Sequence, residues 1–408
     1  MVTKTVQMPA IEVRWRLEAF VEDVVLSMSH VRQRENALIY IRGLIEHGGR
    51  KSIQPTLFRM GAPASRYESV QQFVADSPWD ATRLVRAVVE RVAPEIDVQA
   101  WVIDDTGFPK DGTASPGVGR QYTGTLGKVA NCQVGVSLHA AGYAGTVPLG
   151  WVLYLPEGWC ADRERRRKAK IPDEVVFQTK PMLAAGLIEQ AASWDVPACP
   201  VLGDQAYGDN TALRTRLDDA HIEYVLSVGP HTGVFRSDTS FTVPTPRPGR
   251  GRPTTQPHPD RRPEAARVLA HTLPAEAFCE ISYTTGPRGR TQSGRFAFAR
   301  VFAAHPIRRD RLPPREEWLV IEWPANADEP SGYWLSNLPT DTPNQRLAQL
   351  ARLRGVIELD YRQLKGELGL DHYEGRSYGG WHHHCALVTL AHAFLTLERL
   401  RPKARRPT

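Results

Sequence analysis

Two short apolar runs that each stop at an aspartate constrain this chain more than any other feature. Gln99–Asp104 (QAWVID) and Cys199–Asp204 (CPVLGD) read as strands with the acid at the carboxyl end. In an α/β sheet, that end of a strand faces the crevice in which ligands bind. Further runs alternate around these two. Cys132–His139 alternates as a strand and Val147–Leu155 is another apolar run with aromatics. Glu174–Trp194 reads as a helix, Asn210–Ala220 as a short helix and Glu223–Val228 as a strand. The order β-β-β-α-β-α-β predicts a mixed-sheet α/β domain over 96–230.

The flanks read differently. Residues 1–95 are helical in pattern, with Phe20, Val21, Val24, Val25 and Met28 at helical spacing, then Ala37, Leu38, Tyr40, Ile41 and Leu44. Asp80 is the expected N-cap of a helix through Leu84, Val85, Val88, Val89 and Val92. Residues 231–340 are β-rich, with strand-like runs at 278–284, 295–303, 317–323 and 333–335. They open on a Pro- and Arg-rich loop, 237–266, read as a linker. Residues 341–400 turn helical again, and 401–408 form a basic tail.

The chain has 408 residues, of which 41% are apolar, so material for a buried core is ample and disorder is not the reading. The net charge of +6 permits a polyanionic partner without requiring one. Five scattered cysteines with no CxxC pair argue against both a disulfide framework and a zinc module. No apolar stretch reaches bilayer length and the start lacks a secretory h-region. The expectation is a soluble, cytoplasmic protein without a membrane partner. There is neither a GxSxG elbow nor a P-loop.

Asp104 and Asp204 are hard oxygen donors suited to divalent cations. Two metal ions, typically ~3.5–4 Å apart, can drive in-line displacement at a phosphodiester. A lone strand-end Asp is more often a turn former, but two in matching contexts favour a site. A third acid, Glu358, lies on a predicted helix over 347–368. Arg354 lies four residues before it and Lys365 seven after, so all three are expected on one face. Such a face suits metal and phosphate together, although a solvated face of charge pairs reads equally well.

At this point the residues resemble a known group. IDDTGFPKDG (103–112), GVGRQYTGTLGKVANCQVGVSL (117–138), LYLPEGWCADRERRRKA (153–169), GDQAYGD (203–209) and IELDYRQLKGELGLDHYEGRSYGGWHHH (357–384) are similar to insertion-sequence transposases of the DDE superfamily. The likeness is to the group with a Y-R-E-K signature, of the insertion-sequence-701 type. It implies a ribonuclease H-like catalytic core with Asp104, Asp204 and Glu358 as catalytic and metal-binding acids, and Asp105 as the alternative to Asp104. It implies two Mg2+ ions, with Mn2+ as a substitute. The 154 positions from Asp204 to Glu358 match relatives that carry a β-rich insertion there. Ala351 stands where the signature has Tyr, and Gly355 where Trp is common.

The implied activity is a DNA transposase that cuts element ends and joins them to target DNA, working on double-stranded DNA as a homodimer. Arg354 and Lys365 would hold phosphates. Lys110, Arg120, Lys128, Arg163, Arg165, Arg166, Arg167 and Lys168 are the further candidate DNA contacts, together with Arg250 and Arg252 in an AT-hook-like Arg-Gly-Arg-Pro. Trp318, Trp323 and Trp334 are candidates for holding a flipped base, weighed against plain core packing. His382, His383 and His384 point in three directions on a helix and are expected to pack rather than bind zinc. The alternatives are a domesticated, transposase-derived DNA-binding protein with reduced or no catalysis, and a phosphohydrolase of small substrates.

Overall fold

The computed structural model describes residues 11–46, 48–124, 126–243, 257–284, 291–304, 312 and 314–401. The chain opens with α1 (Ile11–Val24), α2 (Val31–Glu46), α3 (Ile53–Arg59), α4 (Arg66–Ala75) and α5 (Ala81–Val92). Then follow β1 (Val98–Pro109), β2 (Gly119–Thr123), β3 (Lys128–Gly142), β4 (Thr146–Leu153), α6 (Glu157–Ala161), α7 (Arg163–Lys168) and α8 (Lys180–Ala192). Next are β5 (Val201–Gly203), α9 (Gln205–Gly208), α10 (Thr211–Asp219), β6 (Tyr224–Ser227), β7 (Gly233–Arg236), β8 (Phe241–Thr242), β9 (His258–Pro259), β10 (Glu264–Ala265) and α11 (Ala266–Thr272). The chain closes with β11 (Cys279–Thr284), β12 (Thr291–Ala303), β13 (Glu317–Glu322), β14 (Gly332–Ser336), α12 (Asn344–Leu353), α13 (Val356–Gly366) and α14 (Tyr378–Leu400). The protein is mixed α/β, with a large mixed sheet and flanking helices, divided into two compact units.

The first unit holds residues up to Gln99, Ile103–Ala198 and the chain from Val356 onward. Here β3 is flanked by β1 and β2 and also pairs antiparallel with β4. Helix α8 covers one face, where a Cβ on Gly150 would meet Leu187. The next residue turns the other way: Trp151 Nε1 donates to Thr389 Oγ1 of α14 at 3.0 Å. Helix α14 is buried almost all round, from Trp381 to Phe394. Burying each large apolar side chain contributes about 1.5–3 kcal/mol, so such a helix is stable only between two layers. The sheet is one. The N-terminal helices are the other, through Phe20 against Phe394 (6.0 Å between centroids) and Arg16 donating to Glu398 at 2.8 and 2.6 Å. Asp80 caps α5 as its position in the sequence predicts, accepting from Thr82 and Arg83 backbone N–H groups.

The second unit holds Ala100–Val102 and Cys199–Gly355. Strand β5 runs parallel to β6, and to β1 with Trp101↔Val201 and Val102↔Leu202 in register. From β6 the pairing continues antiparallel through β14, β13, β12, β7 and β10, with β11 on β12. Leu269 and Ala270 of α11 pack with Val301, Leu319, Ile321 and Leu335 on one face. Helix α12 lies over the other face. Its Gln349 accepts from Thr284 N (2.9 Å), and its Arg352 pairs with Glu322 (3.3 Å).

Four local expectations change. Strand β1 does not stop at Asp104 but runs on to Pro109, because Thr106-Gly107-Phe108 is itself buried and extended. Gly107 is required there: a Cβ would sit 1.8 Å from Thr123 Oγ1. Helix α8 starts at Lys180 rather than 174, with Pro181 in its first turn, where a missing N–H costs nothing. Of the linker expected over 237–266, residues 244–256 lie outside the described residues, and the remainder carries structure, as β8 pairs with β9 and β10 leads into α11. The helix expected over 347–368 is two helices broken at Arg354-Gly355, where the poor helix former sits.

A pH dependence follows from α14. His384 is buried, with Nε2 donating to the Gly369 and Leu370 carbonyls (3.1 Å each) and Nδ1 accepting from Tyr40 OH (2.8 Å). Burial pushes its imidazole down to about 4. The unfolded chain takes up this proton near 6.5. Between those values the unfolded state binds more protons, so stability is full above 6.5 and falls as pH drops toward 4. Unfolding free energies from urea titrations between pH 7.5 and 4.5 are expected to decline by up to about 1.4 kcal/mol per pH unit from this group. In His384→Gln, which keeps a donor and an acceptor, the decline is expected to be shallower.

Candidate active site

Neighbouring acids face opposite ways on β1. Asp105 receives Lys180 of α8 at 2.8 Å, so it lies on the α8 side of the sheet. Alternation turns Asp104 to the side of α13 and α14. Asp104 is 9% exposed, and one of its oxygens accepts from the Asp105 N–H at 2.8 Å. Lys180 was not legible as a partner in the sequence; the signal was Thr-Lys-Pro, a helix start just before an Ala- and Leu-rich run.

Helix α13 also carries two acids with different fates. Ile357, Asp360 and Leu364 are buried at helical spacing, whereas Glu358 is exposed. Asp360 accepts from Thr146 Oγ1 (2.6 Å) and from His139 Nδ1 (3.0 Å). Burial opposes its charge, but the His139 bond and nearby His392 hold its carboxyl below the usual range. Glu358 shares a face with Tyr361 and Lys365, three and seven residues on. Tyr361 OH lies 2.7 Å from Ser137 Oγ of β3, and Lys365 Nζ donates to Gly107 O of β1 at 2.6 Å. The face bearing Glu358 is thus held along β1 and β3, on the Asp104 side. Burial brings Lys365 down to about 8, and its Nζ stands 5.2 Å from the Phe108 ring centre.

Asp204 belongs to the second unit. It follows β5 directly and caps α9, with Oδ1 accepting from Ala206 N (2.9 Å) and Tyr207 N (3.3 Å). Arg354 does not share a helix face with Glu358. It sits in the break after α12, with Nη2 3.9 Å from Asp204 Oδ2. Ala351, at the signature's Tyr position, is buried in α12. Among the described residues, no group of three or more His, Cys, Asp or Glu side chains is gathered as a metal cluster.

The candidate cations divide in two. Lys110 donates to the Tyr373 carbonyl. Arg165 stacks on Trp159 (3.7 Å) and reaches Thr113 O (3.2 Å). Arg166 ties down Pro172 O at 2.6 Å and Asp173 O at 3.2 Å. Lys168 pairs with Glu164 at 2.7 Å within α7. Arg163, Arg167, Arg120 and Lys128 are exposed. Arg250 and Arg252 lie outside the described residues. The tryptophans pack: Trp334 is buried, Trp318 Nε1 donates to Pro339 O (3.1 Å) and Trp323 Nε1 to Ala327 O (2.9 Å). The three histidines bind backbone or Tyr40, His382 to Tyr378 O and His383 to Val74 O and Trp79 O.

Residues 24–290, more than half of the chain, match the family described as DDE superfamily endonuclease. The chain belongs to this DDE superfamily. The match includes Asp104 and Asp204 and ends before Glu358. This DDE protein is also 29% identical, over 164 residues, to "Probable transposase for insertion sequence element IS701" of Microchaete diplosiphon. The aligned part spans 40% of this chain and 40% of that relative. No described helix is long and apolar enough to cross a membrane.

Arg166→Ala is expected to lower stability by about 0.5–1.5 kcal/mol by releasing its bonds to the Pro172, Asp173 and Cys160 carbonyls. Arg163→Ala and Arg167→Ala are expected to stay within about 0.5 kcal/mol of the parent. Thermal unfolding of the three variants checks this division.

Proposed function

We propose that this DDE superfamily member is a DNA transposase, cutting element ends and joining them to target DNA, with Asp104, Asp204 and Glu358 as its acids. The observation that carries the reading is the sorting of carboxylates. Asp105 and Asp360 are committed to Lys180 and His139, whereas Asp104 and Glu358 share one side of the first unit's sheet. Asp204 supplies a third acid at a strand end. Asp104 and Asp204 each follow by two positions the residues paired in register, Val102 and Leu202. The antiparallel β3–β4 pair, then α8, then parallel β5 and β6 support a ribonuclease H-like core. The likeness to the insertion-sequence transposase supports the reaction class.

These carboxylates are hard donors and fit Mg2+ or Mn2+. Asp104, Asp204 and Glu358 would hold the ions, and bound cations would supply charge stabilisation at the scissile phosphate. The chain's own residues do the rest. Arg354, beside Asp204, is placed to hold a phosphate oxygen. Lys365 anchors the Glu358 helix to β1 as well as carrying charge. Arg163, Arg167, Arg120 and Lys128 are the exposed cations that offer phosphate contacts along double-stranded DNA. Cutting two ends in concert requires two active sites, so the working form is a homodimer on DNA.

Nicking of a supercoiled plasmid in Mg2+ tests this. Asp104→Asn, Asp204→Asn and Glu358→Gln are each expected to lose at least about a hundredfold in rate, more than is typical for residues behind the ligands. Asp105→Asn is expected to lose far less. Plasmid binding without nicking by the unaltered protein would favour the domesticated DNA-binding alternative. Asp105→Asn losing as much as Asp104→Asn would reverse their assignment.

A further inference from the structure

A second polar constellation lies beneath α13. Ser137 Oγ is 3.1 Å from His139 Nε2, and His139 Nδ1 is 3.0 Å from Asp360 Oδ2. The order resembles the relay of serine hydrolases, but Ser137 is 0% exposed and His139 1%, so no substrate reaches it. Its continuation points instead to α13, because Ser137 Oγ also meets Tyr361 OH at 2.7 Å.

The donors at the buried carboxylate can be assigned. The Asp360 carboxylate only accepts, taking Thr146 O–H at one oxygen and His139 Nδ1–H at the other. Beyond His139, Nε2 meets Ser137 Oγ and Ser137 Oγ meets Tyr361 OH, so one continuous hydrogen-bonded chain runs from the carboxylate to α13. An isolated helix as short as α13, at 11 residues, is marginal in water. Its rotation about its own axis depends on such anchors: Asp360 and Tyr361 to β3 and β4, and Lys365 to β1.

We propose that the Asp360–His139–Ser137–Tyr361 chain is a positioning device that sets the rotation of α13 and so where the Glu358 carboxylate stands against β1. This rests on the reading of Glu358 as a catalytic acid. His139, Ser137 and Tyr361 are positioning residues, since none is assigned contact with DNA or metal.

The test uses the full chain with Tyr361→Phe, which removes one hydroxyl, and with Ser137→Ala and Ser137→Thr. Amide hydrogen exchange of the metal-free protein is expected to rise about tenfold or more in α13 and to stay unchanged in α14. The Mg2+ concentration that half-saturates plasmid nicking is expected to rise about tenfold, the range typical of residues that orient ligands, with plasmid affinity unaltered. Ser137→Thr, which keeps the hydroxyl, is expected to restore both. Unchanged α13 exchange and Mg2+ dependence in Tyr361→Phe would overturn the proposal, as would an equal rise in α13 and α14. Wild-type nicking by Glu358→Gln would instead overturn the catalytic reading, while α13 exchange still reports on the positioning itself.

Discussion

The burial of α14 is the constraint on which the first unit depends. A helix that is apolar on nearly every side is unstable in water and on a single surface, so one layer of sheet and one layer of helix must enclose it. That requirement draws the N-terminal helices and the C-terminal segment together although they are more than 300 positions apart in the chain. It also explains the histidines. In a low-dielectric interior a buried ring nitrogen favours a partner, and His383 and His384 find theirs in carbonyls of α4, the turn before α5 and the segment before α14, and in Tyr40 OH.

Against this rigid frame, adjacent acids acquire different chemistry from periodicity alone. A strand turns consecutive side chains to opposite faces, and a helix separates residues two apart by about 200°. Asp104 and Asp105 part for the first reason and Glu358 and Asp360 for the second. One of each pair is bonded inside the protein, Asp105 to the Lys180 ammonium and Asp360 to the His139 imidazole. The other is left on the side where α13 meets the sheet. A single fold thus makes two structural and two candidate chemical carboxylates from the same residue types.

Much of this was legible in the sequence. Local signals transferred well: the Asp80 cap, the apolar run into Asp204 and the strands of 278–335 all appear with small shifts in their bounds. What failed was anything decided by distant contact. Strand β1 continues past its acid because its far end is buried on both faces, so no alternation marks its length. The unbroken helix expected around Glu358 hid a break that Gly355 already signalled, and with it the true neighbour of Arg354. The His139–Asp360 pair joins residues 221 positions apart. The only sign was a carboxylate at an apolar position of an amphipathic helix.

The cations of α7 carry a consequence for how the molecule meets a polyanion. Arg165 lies on an indole ring and Arg166 on backbone carbonyls, and Lys168, though exposed, is paired with a neighbouring glutamate. Counting basic letters along the run therefore overstates the field it projects into solvent. The ionic atmosphere responds to the outward guanidinium groups, Arg163 and Arg167 here. Displacement of counterions on binding is correspondingly smaller than the run's length suggests. A dense basic stretch can serve architecture first and recognition with what remains.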